Sequence, residues 1–173
     1  MRYSPSIFFD FNKATIRPQS VNTETLIQIF IDFDGTITTT DSVSRLIERF
    51  AQNGWQEDER LWNQGRLSSQ EYYARQFARL KISQDELEAF LQSVPLDPWF
   101  APFVSLANSL NLPLFIVSDG FIPFIEKILS FGQIPGIPIF ANPMILKEKP
   151  KTGLLEFVPQ SASGNGKPCL VQA

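Results

Sequence analysis

Two aspartates one residue apart, Asp32 and Asp34, close a run of apolar residues, and Gly35 and Thr36 follow at once. On an extended segment, side chains two residues apart point to the same side. Two carboxylates brought together in this way repel, so one holds a proton or both share a cation. Their hard oxygens suit magnesium, which would offset the charge of a phosphate and let a carboxylate approach it. Gly35 permits a tight turn and Thr36 offers a hydroxyl. Asp-Gly by itself is an ordinary surface turn, but the whole run Ile-Asp-Phe-Asp-Gly-Thr-Ile-Thr, directly after an apolar stretch, is a far more particular pattern. A second polar cluster, Ser118-Asp119-Gly120, closes a second apolar run, Leu114 to Val117. Taken alone, Ser118 reads as a helix cap and Lys167, in Gly166-Lys167-Pro168, as a solvated lysine.

The elements that must position these groups are legible in the periodicity. Thr25 to Ile31 and Leu114 to Val117 read as short buried parallel strands, with Pro138 to Ala141 as a third. Asp41 caps a helix whose Val43, Leu46, Ile47 and Phe50 share one face. Asn53-Gly54 ends it, and Glu57 to Asn63 form a further turn or two. Ser68 with Glu71, and Ser83 with Glu86, are capping boxes that open two more helices. Asp97 and Pro98 open a helix as cap and first residue, with Phe100, Phe103, Val104, Ala107 and Leu110 as its buried stripe. Ile122 to Phe131 is a last helix, and Met144 to Val158 a hairpin. Strands alternating with helices imply an α/β fold with a parallel sheet. In such sheets ligands sit beyond the carboxyl ends of the strands, where both polar clusters lie. Three parts are expected: a loose extension over 1–24, a core from 25–40 and 95–173, and a helical insert over 41–94.

Composition narrows the chemistry. There are no histidines among the 173 residues, so Ser-His-Asp and Cys-His catalysis are excluded. The single cysteine, Cys169, can form neither an internal disulfide nor a CxxC site, which fits a cytoplasmic location. Lys and Arg are scattered and the net charge is −3, so no nucleic-acid partner is expected. No secretory signal and no membrane-spanning apolar run is present.

Asp32-Phe33-Asp34-Gly35-Thr36 resembles the first motif, DxDxT, of the haloacid dehalogenase superfamily. Ser118 resembles its second motif and Lys167 its third. The resemblance runs from about Ile27 to Pro168. It implies a Rossmann-like core with an inserted helical type-one cap, as in phosphoserine-phosphatase-like members, and the insert lies between motifs one and two. The stretches Asp32 to Thr38, Gly65-Arg66-Leu67-Ser68, Val117 to Phe121, Ile139-Phe140-Ala141-Asn142 and Lys167-Pro168 are most similar to members that act in methionine salvage. By resemblance the activity is magnesium-dependent hydrolysis of a small phosphate ester, with phosphoserine as the alternative substrate. Asp32 would be the nucleophile, forming an aspartyl-phosphate, and Asp34 the general acid and base. Asp32 and Asp34 would hold the metal. Ser118, Asp119, Gly120 and Lys167 would hold phosphate oxygens or offset their charge. Arg66 and Arg75, with Arg79, are candidates for meeting a substrate anion. The family's fourth motif supplies a further metal-binding carboxylate, yet no acidic residue follows Glu156. The resemblance therefore implies that the C-terminal part of the core is missing and that this chain has weak activity or none. Alternatives are a truncated relic and a non-enzymatic phosphate-binding or interaction protein.

Overall fold

The computed structural model describes residues 27–134 and 136–160. The extension expected over 1–24 and the segment around Lys167 lie outside the described residues.

Three strands form the central sheet: β1 (Ile29–Ile31), β2 (Leu114–Phe121) and β3 (Ile139–Asn142). Their order is β1-β2-β3, and both pairings are parallel, with Ile31 opposite Ile116 and Ile116 opposite Ile139. Parallel neighbours need a helical return between them, and the chain supplies one in each interval. β1 is shorter than the periodicity suggests. Its partner β2 begins opposite Ile29, and Pro113 just before β2 has no N–H to extend the ladder, although its carbonyl accepts from the Ile29 N–H at 2.9 Å. β3 likewise starts one residue later than expected, because Pro138 cannot donate.

Four helices intervene between β1 and the rest of the core: α1 (Ser42–Phe50), α2 (Trp55–Asn63), α3 (Ser69–Ala78) and α4 (Gln84–Gln92). Asp41 caps α1 through the Ser44 N–H at 2.7 Å. Both capping boxes are complete: Ser68 and Ser83 accept from the N–H groups of Glu71 and Glu86, whose carboxylates accept from the serine N–H groups in return. The chain leaves and re-enters the core at one place, where Thr38 bridges Leu96, so the path out and the path back are tied together.

Helix α5 (Phe100–Ser109) departs from expectation. Asp97 does not cap it directly; its carboxylate accepts from the Trp99 N–H at 2.8 Å and its carbonyl from the Phe100 N–H at 3.0 Å, so a separate turn precedes the helix. Nor is its stripe fully buried. Phe100 and Ala107 are buried, but Phe103 and Leu110 are exposed, with Leu106 and Trp99. Apolar residues surround this helix on most sides, so the pattern names no single face, and only part of it meets the sheet.

Helix α6 (Ile122–Phe131) follows β2, and Phe124, Ile125, Ile128 and Leu129 bury its inner face. The hairpin pairs β4 (Met144–Glu148) with β5 (Leu155–Pro159) in antiparallel register. Aromatic rings join these parts. Phe121 meets Tyr73 and Phe77 of α3 edge-on at 5.1 and 5.0 Å, and Phe124 of α6 at 6.1 Å, while Phe77 stacks on Phe157 of β5 at 5.5 Å. The fold is α/β, with a parallel sheet and an all-helical segment inserted after its first strand.

Candidate active site

Parallel pairing places Asp32, which follows β1, at the same end of the sheet as Ser118 in β2. After Asp32 the chain makes a wide turn from Phe33 to Ile37, closed by the Thr38 N–H on the Phe33 carbonyl at 3.0 Å. Gly35 sits there at φ +75°, which a residue with a β-carbon rarely adopts. Phe33 and Ile37 are fully buried and anchor the turn, and Thr36 stays exposed. The hydroxyl that organises the turn belongs to Thr38, which sequence reasoning did not single out. Fully buried, it accepts from the Gly35 N–H at 3.4 Å and donates to the Thr40 carbonyl at 2.8 Å.

The Asp32 carboxylate accepts from the Phe33 N–H at 2.9 Å. Asp34 reaches the first turn of α1, where its Oδ1 accepts from the Ser42 N–H at 2.7 Å. Burial pushes the Asp34 carboxyl up to about 6; the Ser42 N–H opposes this, and the neighbouring charges of Asp41 and Asp119 add to it. Desolvation penalises the charged form more than one hydrogen bond restores it, so Asp34 holds a proton more readily than an ordinary carboxylate.

The ladder between β2 and β3 slips between Val117 and Phe121, where Ser118, Asp119 and Gly120 lie. Ser118 is fully buried, and its Oγ accepts from the Gly120 N–H at 3.0 Å, which leaves its own proton to donate. Gly120 stands so close to both polar groups that a β-carbon on it would lie 3.0 Å from Asp34 Oδ2 and 3.1 Å from Ser118 Oγ. The Asp119 side chain is exposed, and its carbonyl accepts from the Asn142 side-chain amide at 2.6 Å. Asn142, buried at the end of β3, thus fixes the second polar cluster; the sequence marked it only as the last residue of a stretch that carries the family resemblance, with no role attached.

Asp34, Asp119 and Gly120 form the floor of a cavity of about 110 Å³. Its walls come from the inserted helices: Asp41, Val43, Ser44 and Ile47 at α1, Glu59 and Trp62 on α2, and Tyr72 and Tyr73 on α3. The wall residues are scattered over three helices, and nothing in their spacing marks them.

Arg66 and Arg75, the candidates for meeting a substrate anion, do not line the cavity, and Arg66 is exposed. Arg75 and Arg79 converge on Asp58, which is 3% exposed, at 3.2 and 2.8 Å. A buried carboxylate needs such partners, so these arginines hold α2 to α3. Among the described residues no three His, Cys, Asp or Glu side chains converge closely enough to hold a metal ion, and no helix is long and apolar enough to cross a membrane.

The sequence profile of the haloacid dehalogenase-like hydrolases matches residues 29–172, and the chain belongs to that family. Among curated relatives, the 2-hydroxy-3-keto-5-methylthiopentenyl-1-phosphate phosphatase of Brevibacillus brevis is 33% identical over 117 residues, covering 66% of this chain and 52% of the relative. That of Bacillus cereus strain AH187 is 29% identical over 118 residues, covering 67% and 53%. The chain thus spans about half the length of the curated relatives it matches. The fold is similar to a HAD-family hydrolase from Salmonella enterica serovar Typhi, with a TM-score of 0.61 and 16% identity over 76% of this chain and 45% of that one. It is also similar to phosphoserine phosphatase captured as a phospho-aspartyl intermediate analogue, with a TM-score of 0.55 and 18% identity over 77% and 64%.

Proposed function

We propose that this haloacid dehalogenase-like chain is the nucleophile-bearing part of a magnesium-dependent phosphatase that hydrolyses a small phosphate monoester through an aspartyl-phosphate. The observation that carries this reading is the half-buried Asp34 carboxyl, raised to about 6, on a cavity floor beside Gly120, which Ser118 backs from beneath. A carboxyl that titrates near neutrality is suited to give and take a proton in turn.

In the first step an Asp32 oxygen attacks phosphorus and the bond to the leaving oxygen breaks. Asp34 donates its proton to that oxygen, and the free alcohol leaves. In the second step Asp34 takes a proton from water, which attacks phosphorus; the Asp32–phosphorus bond breaks, releasing phosphate and the Asp32 carboxylate. Throughout, the Ser118 hydroxyl donates to a phosphoryl oxygen. Lys167 is placed in the same role by its motif alone. Oxygen donors suit a hard cation, and the Asp32 carboxylate and the Asp34 backbone carbonyl are the groups on this chain that would hold it. Magnesium held there would offset the charge of the phosphate facing Asp32.

The relatives act on 2-hydroxy-3-keto-5-methylthiopentenyl-1-phosphate, and we extend that substrate class to the protein that contains this chain. The test is hydrolysis of an aryl phosphate with magnesium. Turnover is expected of the full-length protein that contains this chain, and Asp32→Asn in that protein should abolish it and prevent covalent trapping of labelled phosphate. Equal turnover in the variant would overturn the reading.

A further inference from the structure

The cavity above Asp34 and Gly120 has a consistent chemical character. Trp62 and Tyr72 stack with ring centres 4.8 Å apart and planes 16° from parallel. The Trp62 indole N–H is spent on Ser69 Oγ at 3.0 Å, so the ring offers the cavity a surface without an unsatisfied donor. Tyr73 is held between Phe77 at 5.8 Å and Phe121 at 5.1 Å, so its ring cannot easily swing aside. These rings, with Val43 and Ile47, give rigid apolar contact area.

The charges are all of one sign. Asp34, Asp41, Glu59 and Asp119 line the cavity, and among the described residues no lysine or arginine does. The nearby cations of α3, Arg75 and Arg79, are committed to Asp58. Glu59 itself makes no ion pair among the described residues. Burial raises the Tyr72 and Tyr73 phenols, and the surrounding carboxylates push them further the same way, so both remain neutral donors.

An anionic substituent entering this space would be stripped of water and set among like charges. A neutral flat or apolar group would gain the aromatic surface at no such cost. From this we infer that the site accepts a phosphate ester whose leaving group carries no negative charge and lies against Trp62, with Glu59 as the residue that excludes anionic leaving groups. This rests on the reading that the cavity receives the leaving group of a phosphate monoester.

The test is equilibrium binding, which does not depend on turnover. Phenylphosphonate and 4-carboxyphenylphosphonate would be titrated by calorimetry, with magnesium, into wild type and Glu59→Gln. The wild type should bind the uncharged probe about tenfold more tightly or better. Glu59→Gln, melting at the wild-type temperature, should narrow that ratio about threefold or more, and high salt should narrow it in the wild type. Trp62→Leu should weaken both probes together. Equal affinities in the wild type, a ratio unmoved by Glu59→Gln, or no binding of either probe would overturn the inference. Clear discrimination in binding without any hydrolysis of phenyl phosphate would instead count against the phosphatase reading alone.

Discussion

Gly120 faces Asp34 so closely that a β-carbon added to the glycine would lie 3.0 Å from the aspartate's Oδ2. The same β-carbon would lie 3.1 Å from Ser118 Oγ, and neither neighbour can retreat freely. Asp34 is tied to the Ser42 N–H, and Ser118 is fully buried. Gly120→Ala should therefore move a proton-transfer group by a few tenths of an ångström while leaving the fold intact. The expected result is a fall of about tenfold or more in kcat/KM with a melting temperature close to wild type. Wild-type kinetics in this variant would show that the approach has no bearing on catalysis.

Asp34 also links stability to pH. Its carboxyl lies near 6 in the folded chain against 3.8 in the reference state. A raised carboxyl binds its proton more tightly when folded, so its stabilising contribution is complete below about pH 4 and is lost as pH rises through about 6. The shift of roughly two units corresponds to about 3 kcal/mol at most. Asp34→Asn keeps an oxygen for the Ser42 N–H and cannot titrate. Urea unfolding between pH 4 and 7 should show wild type losing stability relative to Asp34→Asn across that window. Parallel curves would mean that Asp34 titrates as an exposed carboxylate does.

Much of the fold was legible because its signals are local. Ser68 with Glu71 and Ser83 with Glu86 are three residues apart, and each pair closes as a box whatever surrounds it. Asp32 and Ser118 follow apolar runs that form parallel strands, so their common end of the sheet could be anticipated. Contact between distant segments could not. Arg75 looks like any solvated helix charge until α3 packs beside α2 and Asp58, 17 residues earlier, is found buried beneath it. Thr38 went unnoticed because Thr36 completes the recognisable pattern, yet burial gives the structural task to Thr38. The cavity walls gather Glu59, Trp62 and Tyr73 from helices whose own periodicity concerns their packing. The α5 stripe failed for the opposite reason: a helix apolar on most sides does not say which face will find a partner.

The Asp58 cluster predicts unequal effects of its members. Removing the buried carboxylate leaves two arginines facing a space with no counter-charge, whereas removing Arg75 leaves Asp58 still held by Arg79. Arg75 is half-exposed, so water screens its contribution. Asp58→Ala should cost about 2–3 kcal/mol by chemical denaturation, and Arg75→Ala about 1 kcal/mol or less. Because Arg75 does not line the cavity, Arg75→Ala should also leave KM for an aryl phosphate unchanged. A large rise in KM would return Arg75 to the list of substrate contacts.

The last prediction concerns what holds the inserted helices over the sheet. Phe121 immediately follows Gly120, is fully buried, and packs edge-on against Tyr73, Phe77 and Phe124. It therefore joins α3 of the insert to β2 and α6 of the core at the margin of the candidate site. Truncating such a ring removes both its transfer free energy and its contacts, and the surrounding rings cannot collapse fully into the space. Phe121→Ala should cost about 3–5 kcal/mol, whereas Phe121→Leu should cost about half as much. The loss should not be confined to stability. With the ring gone, Tyr73 loses one of the surfaces that fix it, so the cavity wall loosens, and phenylphosphonate should bind more weakly to Phe121→Leu even at temperatures where that variant is fully folded. Calorimetry on Phe121→Leu well below its melting point separates the two effects. Unchanged affinity there would mean that Phe121 supports the fold without shaping the site.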